Sequence, residues 1–165
     1  MEKLPIFTAN TELMNMRQLV LLFSLSLVLF TACKKDRDLI ERTNNNIALN
    51  GAQTVPTNQS TANGKMTATY SSKTKSFNYT VTWSGLTGNA SSMHIHGIAD
   101  PGFPAAIVQT ITLVAPNNGP SGSVSGTLFV DGFNVKEEDL LNGKYYVDIH
   151  TAANPGGELR GQITF

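Results

Sequence analysis

The sequence predicts an all-β domain, an antiparallel Greek-key β-sandwich of about seven to eight short strands with one short connecting helix. Three observations carry this reading. Apolar residues recur with a period of two: Met66, Ala68 and Tyr70 alternate with Thr67 and Thr69, and Phe77, Tyr79, Val81 and Trp83 alternate with Asn78, Thr80 and Thr82. On a strand that spacing sorts one face for a core and the other for water, so Tyr79 and Trp83 are expected inside. Segments rich in Gly, Pro, Asn and Ser, at residues 71–76, 85–90, 100–104 and 115–122, then punctuate the runs where turns are needed. The third observation is the segment 145–165, which reads as a single hairpin with two sorted faces.

In that hairpin Tyr145, Val147 and Ile149 alternate with Tyr146, Asp148 and His150, while Leu159, Gly161 and Ile163 alternate with Glu158, Arg160, Gln162 and Thr164. Residues 153–157 (Ala-Asn-Pro-Gly-Gly) supply the reversal, because Pro presets φ and Gly accepts positive φ. A register that keeps both apolar sets on one side places Asp148 opposite Arg160 and His150 opposite Glu158. Asp148 and Arg160 then read as a cross-strand ion pair, worth under about 1 kcal/mol if exposed. Tyr146 and Gln162, on the same polar face, are the expected points of contact for a partner. Further strands are expected at residues 47–50, 92–96, 106–114 and 123–130. The helix is expected at 135–141, with Asn134 as N-cap, Glu137 in capping-box position and Gly143 as its stop.

The start of the chain carries targeting chemistry. Residues 19–32 (LVLLFSLSLVLFTA) form an apolar run preceded by Arg17, too short for the roughly eighteen residues of a spanning helix, and so read as the core of a secretory signal peptide covering residues 1–32. Glu2 and Glu12 make residues 1–13 a poor signal start, and translation is expected to begin at Met14 or Met16. The end of the run, Leu29-Phe30-Thr31-Ala32-Cys33, resembles the lipobox of bacterial lipoproteins, with Cys33 lipidated as the first mature residue. Cys33 is the single cysteine, so no internal disulfide is available and stability must come from a core. Residues 33–46, charged and then Asn-rich, read as a flexible tether to a domain at 47–165. Lys34 after the cysteine points to the outer membrane, on its periplasmic face or the cell surface. The 12 Lys and Arg against 12 Asp and Glu give a neutral chain, which offers nucleic acid no electrostatic footprint. The triplets at Asn58, Asn78 and Asn89 match a glycosylation pattern that carries little weight in a bacterial lipoprotein.

Among the 3 histidines, His94 and His96 stand two apart in Ser92-Met93-His94-Ile95-His96-Gly97. On a strand both rings face one way, about 6.5 to 7 Å apart at Cα, and can converge on one ion at metal–nitrogen distances of about 2.0 to 2.1 Å. Met93 and Ile95 then face the core. With His150 they would line one site suited to copper or zinc, with Glu158 as a ligand or as the group that orients His150. A structural polar cluster, in which the imidazoles bond loop backbone, explains the same residues. A Ser-His-Asp order, a paired-carboxylate motif, a thiol nucleophile and a phosphate-binding glycine loop are all lacking.

Three segments carry a family resemblance: Leu49-Asn50-Gly51-Ala52-Gln53-Thr54-Val55-Pro56, then His94-Ile95-His96-Gly97, then Tyr146-Val147-Asp148-Ile149-His150-Thr151 with Asn154-Pro155-Gly156-Gly157-Glu158-Leu159-Arg160-Gly161-Gln162. In this order they resemble the opening, middle and closing motifs of the CHRD (chordin-type) domain, over residues 47–165. The middle motif departs from the family after Gly97, where residues 98–104 replace a more glycine-rich loop. The resemblance implies an immunoglobulin-like or superoxide-dismutase-like sandwich in a secreted or lipid-anchored protein, and no settled activity. The His-x-His strand is also similar to the copper-binding strand of copper–zinc superoxide dismutases, as far as one ion held by His94, His96 and His150. The expectation that follows is an envelope lipoprotein serving as a non-enzymatic binding module, with a metalloenzyme or a metal-free adhesive domain as the alternatives.

Overall fold

The computed structural model describes residues 39–165, so the leader, Cys33 and the first part of the tether lie outside the described residues. Eight strands follow in chain order: β1 (Glu41–Asn50), β2 (Asn63–Ser71), β3 (Ser76–Ser84), β4 (Ala90–Gly97), β5 (Ile107–Ile111), β6 (Gly122–Phe129), β7 (Tyr145–Thr151) and β8 (Leu159–Gln162). A 3₁₀ turn, Gly51–Gln53, follows β1, and one helix, α1 (Glu137–Leu141), precedes β7. The all-β antiparallel architecture is the one the period-two pattern predicts and the short helix is also present, but the strands form one sheet and not the two stacked layers of a sandwich.

The strands lie in one hydrogen-bonded sheet in the order β5-β4-β7-β8-β1-β2-β3-β6. Each half of this order is paired over long registers, with β3 matched to β2 and to β6 along nearly its whole length and β4 to β7 likewise. The halves join through a single residue pair, Asn50 with Arg160. At the far edges Gln109 of β5 donates to Thr127 O of β6 at 2.9 Å and accepts from Tyr79 Oη at 3.0 Å. A bridge at one end and a side-chain tie at the other fold the sheet into a nearly closed barrel around one core. Met66, Tyr70, Phe77, Val81 and Trp83 enter it from one half and Met93, Ile95, Val147, Ile149 and Leu159 from the other. Each large apolar side chain fully buried there contributes about 1.5–3 kcal/mol.

Two local expectations change. Residues 41–46, read as tether, are strand: β1 pairs with β2 from Glu41 opposite Ser71, with a register shift between Asn44 and Ile47. Backbone pairing against a long neighbour needs no apolar side chains, and the Asn44 side chain covers the irregularity, accepting from Asn46 N and donating to Thr164 O. The helix starts at Glu137, with Lys136 in the N-cap position and no side-chain cap. Asn134 is not the cap because Asp131 takes the N–H groups of Phe133, Asn134 and Val135 and holds that segment as a turn. Glu137, the expected capping-box acid, instead accepts from Tyr70 Oη and Lys75 Nζ. Leu140 is fully buried, as expected for a helix packed over the core.

The hairpin register is the predicted one, with Asp148 opposite Arg160 and Ile149 opposite Leu159. Its turn breaks the alternation at one point. Gly157 has φ 113°, and Glu158, which follows it, is turned inward and fully buried. Its carboxylate accepts from Ser60 Oγ (2.7 Å), Thr87 N (2.9 Å), Thr87 Oγ1 (2.7 Å) and Thr151 Oγ1 (2.6 Å), tying three loops together. Burial alone would raise its pKa, but these hydrogen bonds outweigh burial and hold the carboxyl at about 2.

Two predictions test these joints. At the seam, a Cβ on Gly161 would stand 2.8 Å from both Ala48 O and the Leu49 side chain, so Gly161→Ala is expected to destabilise the domain by about 1–3 kcal/mol in urea unfolding. Because the Glu158 pKa is depressed from 4.5, its contribution is present above that pH and lost as pH falls towards about 2. Glu158→Ala, which leaves those donors unpaired, is expected to cost roughly 3 kcal/mol or more at pH 7, and its stability should vary less with pH between 4.5 and 2 than the wild type's.

Candidate metal centre

Strand pairing assembles the site. On β4, Met93 and Ile95 are fully buried in the core, which turns His94 and His96 to the outer face. On β7 the same alternation turns Asp148 and His150 outward. The β4–β7 register sets His94 opposite Asp148, His96 opposite Tyr146 and Ser92 opposite His150. Residues more than fifty positions apart in sequence thus meet on adjacent strands of one sheet.

The contacts are close. His150 Nε2 lies 3.0 Å and His94 Nδ1 3.5 Å from Asp148 Oδ1, and His96 Nε2 lies 3.1 Å from Oδ2. His94 Nδ1 and His150 Nε2 are 3.2 Å apart. One donor atom from each of His94, His96, Asp148 and His150 falls within 4.8 Å of every other. Four donors held tetrahedrally at about 2.0–2.1 Å from one ion are themselves about 3.3 Å apart, close to the 3.0 to 3.5 Å approaches here, although the whole set spreads to 4.8 Å.

Hydrogen bonding decides what these atoms offer. His96 Nδ1 lies 2.9 Å from Ala105 O, and His150 Nδ1 lies 2.9 Å from Pro155 O. A carbonyl only accepts, so both rings carry a proton on Nδ1 and turn Nε2 towards Asp148, as a lone pair when the ring is neutral and as an N–H donor when it is protonated. Consistent with this, His96 Nε2 and Asp148 Oδ1 are buried without a hydrogen-bond partner, despite the short approach distances. With both rings neutral, His96 Nε2 and the carboxylate are acceptors facing one another, an arrangement that a proton or a metal ion between them would relieve.

The proton affinities follow from this crowding. Burial opposes ionisation of Asp148, yet hydrogen bonds from His150 and His96 in their protonated forms outweigh it and bring the carboxyl to about 2. The same Asp148 bond raises His150. His96 is pulled down by burial but raised more by Asp148 and by Ala105 O. His94 is lowered, by burial first and then by the other two imidazoles, against a partial offset from Asp148.

The outer face of the hairpin is covered, which corrects several expectations. Loop 98–106 folds back over it: Ala105 N donates to Tyr146 Oη (3.1 Å) and Arg160 donates to Phe103 O (3.0 Å). Tyr146 is therefore buried, stacked on His96 with ring centroids 4.8 Å apart. Gln162 is partly buried, its amide donating to Ala99 O and Gly143 O, so neither residue is an exposed contact point. Asp148 and Arg160 face each other in register but make no side-chain ion pair; the carboxylate belongs to the histidines, and the guanidinium lies 3.5 Å over the Tyr146 ring. Glu158 is neither ligand nor partner of His150, because its inward turn commits it to Ser60, Thr87 and Thr151. Sequence reasoning missed Asp148 as a donor, although Asp148-Ile149-His150 has the same i, i+2 spacing as His94-Ile95-His96. A cleft of ≈ 180 Å³ lined by His96, Asp148, His150, Thr54, Ala105 and Gly157, among others, opens beside the cluster.

Comparison with known proteins accords with the closing hairpin and the His-x-His strand. No curated protein and no solved structure matches the chain. The family model of the CHRD domain matches residues 46–163, which take in all four clustered residues. The chain therefore belongs to the CHRD domain family.

Proposed function

We propose that this protein is a cell-envelope lipoprotein whose CHRD domain acts as a non-enzymatic binding module and holds one zinc or copper ion through His94, His96, His150 and Asp148. The observation that carries the reading is the convergence of three imidazoles and one carboxylate, with nitrogen–oxygen and nitrogen–nitrogen approaches of 3.0 to 3.5 Å. Three imidazoles and one carboxylate suit zinc and copper by donor type. Four protein donors also fill a tetrahedral ion's coordination, the pattern of structural rather than catalytic zinc. A bound ion would supply the positive charge that the cluster lacks and would fasten β4 and β7 to the loops that orient His96 and His150.

A second reading rests on the cleft of ≈ 180 Å³ that reaches His96, Asp148 and His150. Copper in a tetragonal site can take a further ligand from that side, which would allow redox work. Superoxide dismutation by the copper-loaded protein, absent from His94→Ala, would favour this reading over the first.

The envelope assignment rests on residues 29–33 and on the resemblance to lipoprotein leaders. Since β1 begins at Glu41, the segment from Cys33 to that strand could span at most roughly 25 Å, which would hold the domain near the lipid surface. In a bacterial host, labelled palmitate is expected to enter the wild type and not Cys33→Ala.

For the ion, the full chain in detergent and without a histidine tag is expected to bind close to one equivalent of Zn²⁺ or Cu²⁺ with sub-micromolar affinity by calorimetry. His94→Ala should weaken this by at least about a hundredfold, whereas Glu158→Gln should leave it within about twofold. No binding to the wild type, or equal binding to His94→Ala, would end the metal reading. Because His96 and His150 hold protons above the usual imidazole range, their stabilising charge is present at low pH and lost as pH rises through those raised values. The ion replaces it, so the gain in melting temperature on adding Zn²⁺ should grow from pH 6 to pH 8.

A further inference from the structure

We propose that the cleft between residues 52–57 and residues 101–102 binds a small carboxylate bearing an apolar group, with Arg160 as its anchor. This goes beyond the metal reading and does not depend on it.

Arg160 is 3 % exposed and stands in the walls of two clefts, the smaller one beside the histidines and a larger one of ≈ 410 Å³. Among the described residues no carboxylate oxygen lies within 4.0 Å of its guanidinium. A guanidinium so deeply placed is costly unless its charge and donors are met. Its hydrogen bonds run from Nη1 to Phe103 O and from Nη2 to Gln162 Oε1, each 3.0 Å, both to neutral acceptors. A guanidinium has five N–H groups, so among the described residues donors remain beyond these two bonds. Tyr146 beneath it and those two acceptors fix its plane before any ligand arrives, and a planar fork held in place matches a carboxylate.

The rest of the wall sets the ligand's other half. Ala52, Val55, Pro56 and Pro101 line the larger cleft and offer apolar surface. Gln162, also in the wall, spends its amide N–H groups on Ala99 O and Gly143 O and has none to spare for a second anionic group. The volume lies within the roughly 300–1,000 Å³ of small-molecule sites. One oxyanion with one compact apolar substituent is the chemistry this cleft recognises.

Benzoate is a suitable probe, and benzamide its neutral counterpart. Titrated calorimetrically into the full chain in detergent, with a detergent blank, benzoate is expected to saturate and benzamide to bind at least about tenfold more weakly. Arg160→Gln should lose the same factor with an unchanged circular dichroism spectrum. Ala52→Trp, which fills the cleft from an exposed turn position, should abolish binding and keeps the test decisive if the arginine variant does not fold. Equal affinity for benzoate and benzamide, no saturation by benzoate below about 10 mM, or undiminished binding to Ala52→Trp would overturn the proposal. Benzoate affinity should persist with a chelator present and in His94→Ala. Binding seen only on zinc-loaded protein would assign the carboxylate to the ion instead and overturn the role of Arg160. Failure of the protein to bind zinc would leave the prediction for benzoate unchanged.

Discussion

The pairing of β4 with β7 is the constraint from which the rest follows. Its register puts His94 directly across from Asp148, and the pleat sends His96 and His150 to the same side. A shift of one residue would turn either Met93 and Ile95 or Val147 and Ile149 out of the core. The apolar residues therefore hold the polar ones in place: the free energy that buries one face fixes the geometry of the other. The cluster needs no strain or special loop to form, only two strands whose inward faces are apolar throughout.

Charge compensation in the cluster depends on protons carried by its own imidazoles or on an ion. Carbonyls of Ala105 and Pro155 accept from Nδ1 of His96 and His150, leaving Nε2 of each ring to face the carboxylate with a proton or with a lone pair. The contrast with Glu158 is instructive. Both carboxylates are buried and both have pKa values near 2. Glu158 is met by neutral hydroxyls and a backbone N–H at 2.6 to 2.9 Å, and is complete in itself. Asp148 is met by imidazoles that satisfy it only when they carry a proton or share an ion with it. One is a structural tie between loops, the other belongs to a group of side chains that could hold an ion.

Covering the outer face changes the role of β8 as well. Once loop 98–106 closes over β7 and β8, Arg160 can no longer be a solvent-screened partner of Asp148. It becomes a buried guanidinium between clefts, steadied by Tyr146, Phe103 O and Gln162. The histidine–aspartate cluster and the arginine therefore present two distinct chemistries on one sheet face, meeting where Asp148 stands opposite Arg160.

By itself the sequence determined the all-β class, most strand positions, the hairpin register and the shared face of His94 and His96. These depend on alternation and turn residues within a short stretch of chain, where the period of two is decisive. It also placed Asp148 and His150 on one face, although the charge of Arg160 across the hairpin suggested the wrong partner for the carboxylate. Tertiary structure decided everything that depends on non-neighbouring segments. It set β7 beside β4, so that Asp148 became a donor, and extended β1 into Asn-rich residues through backbone pairing alone. It also buried a face whose residue types read as solvent-exposed, because loop 98–106 has no periodic signal to announce where it will lie. The inward turn of Glu158 arises from the backbone at Gly157 and from hydroxyls at Ser60, Thr87 and Thr151. A local pattern can say which way a side chain leaves its strand, but not what waits for it there.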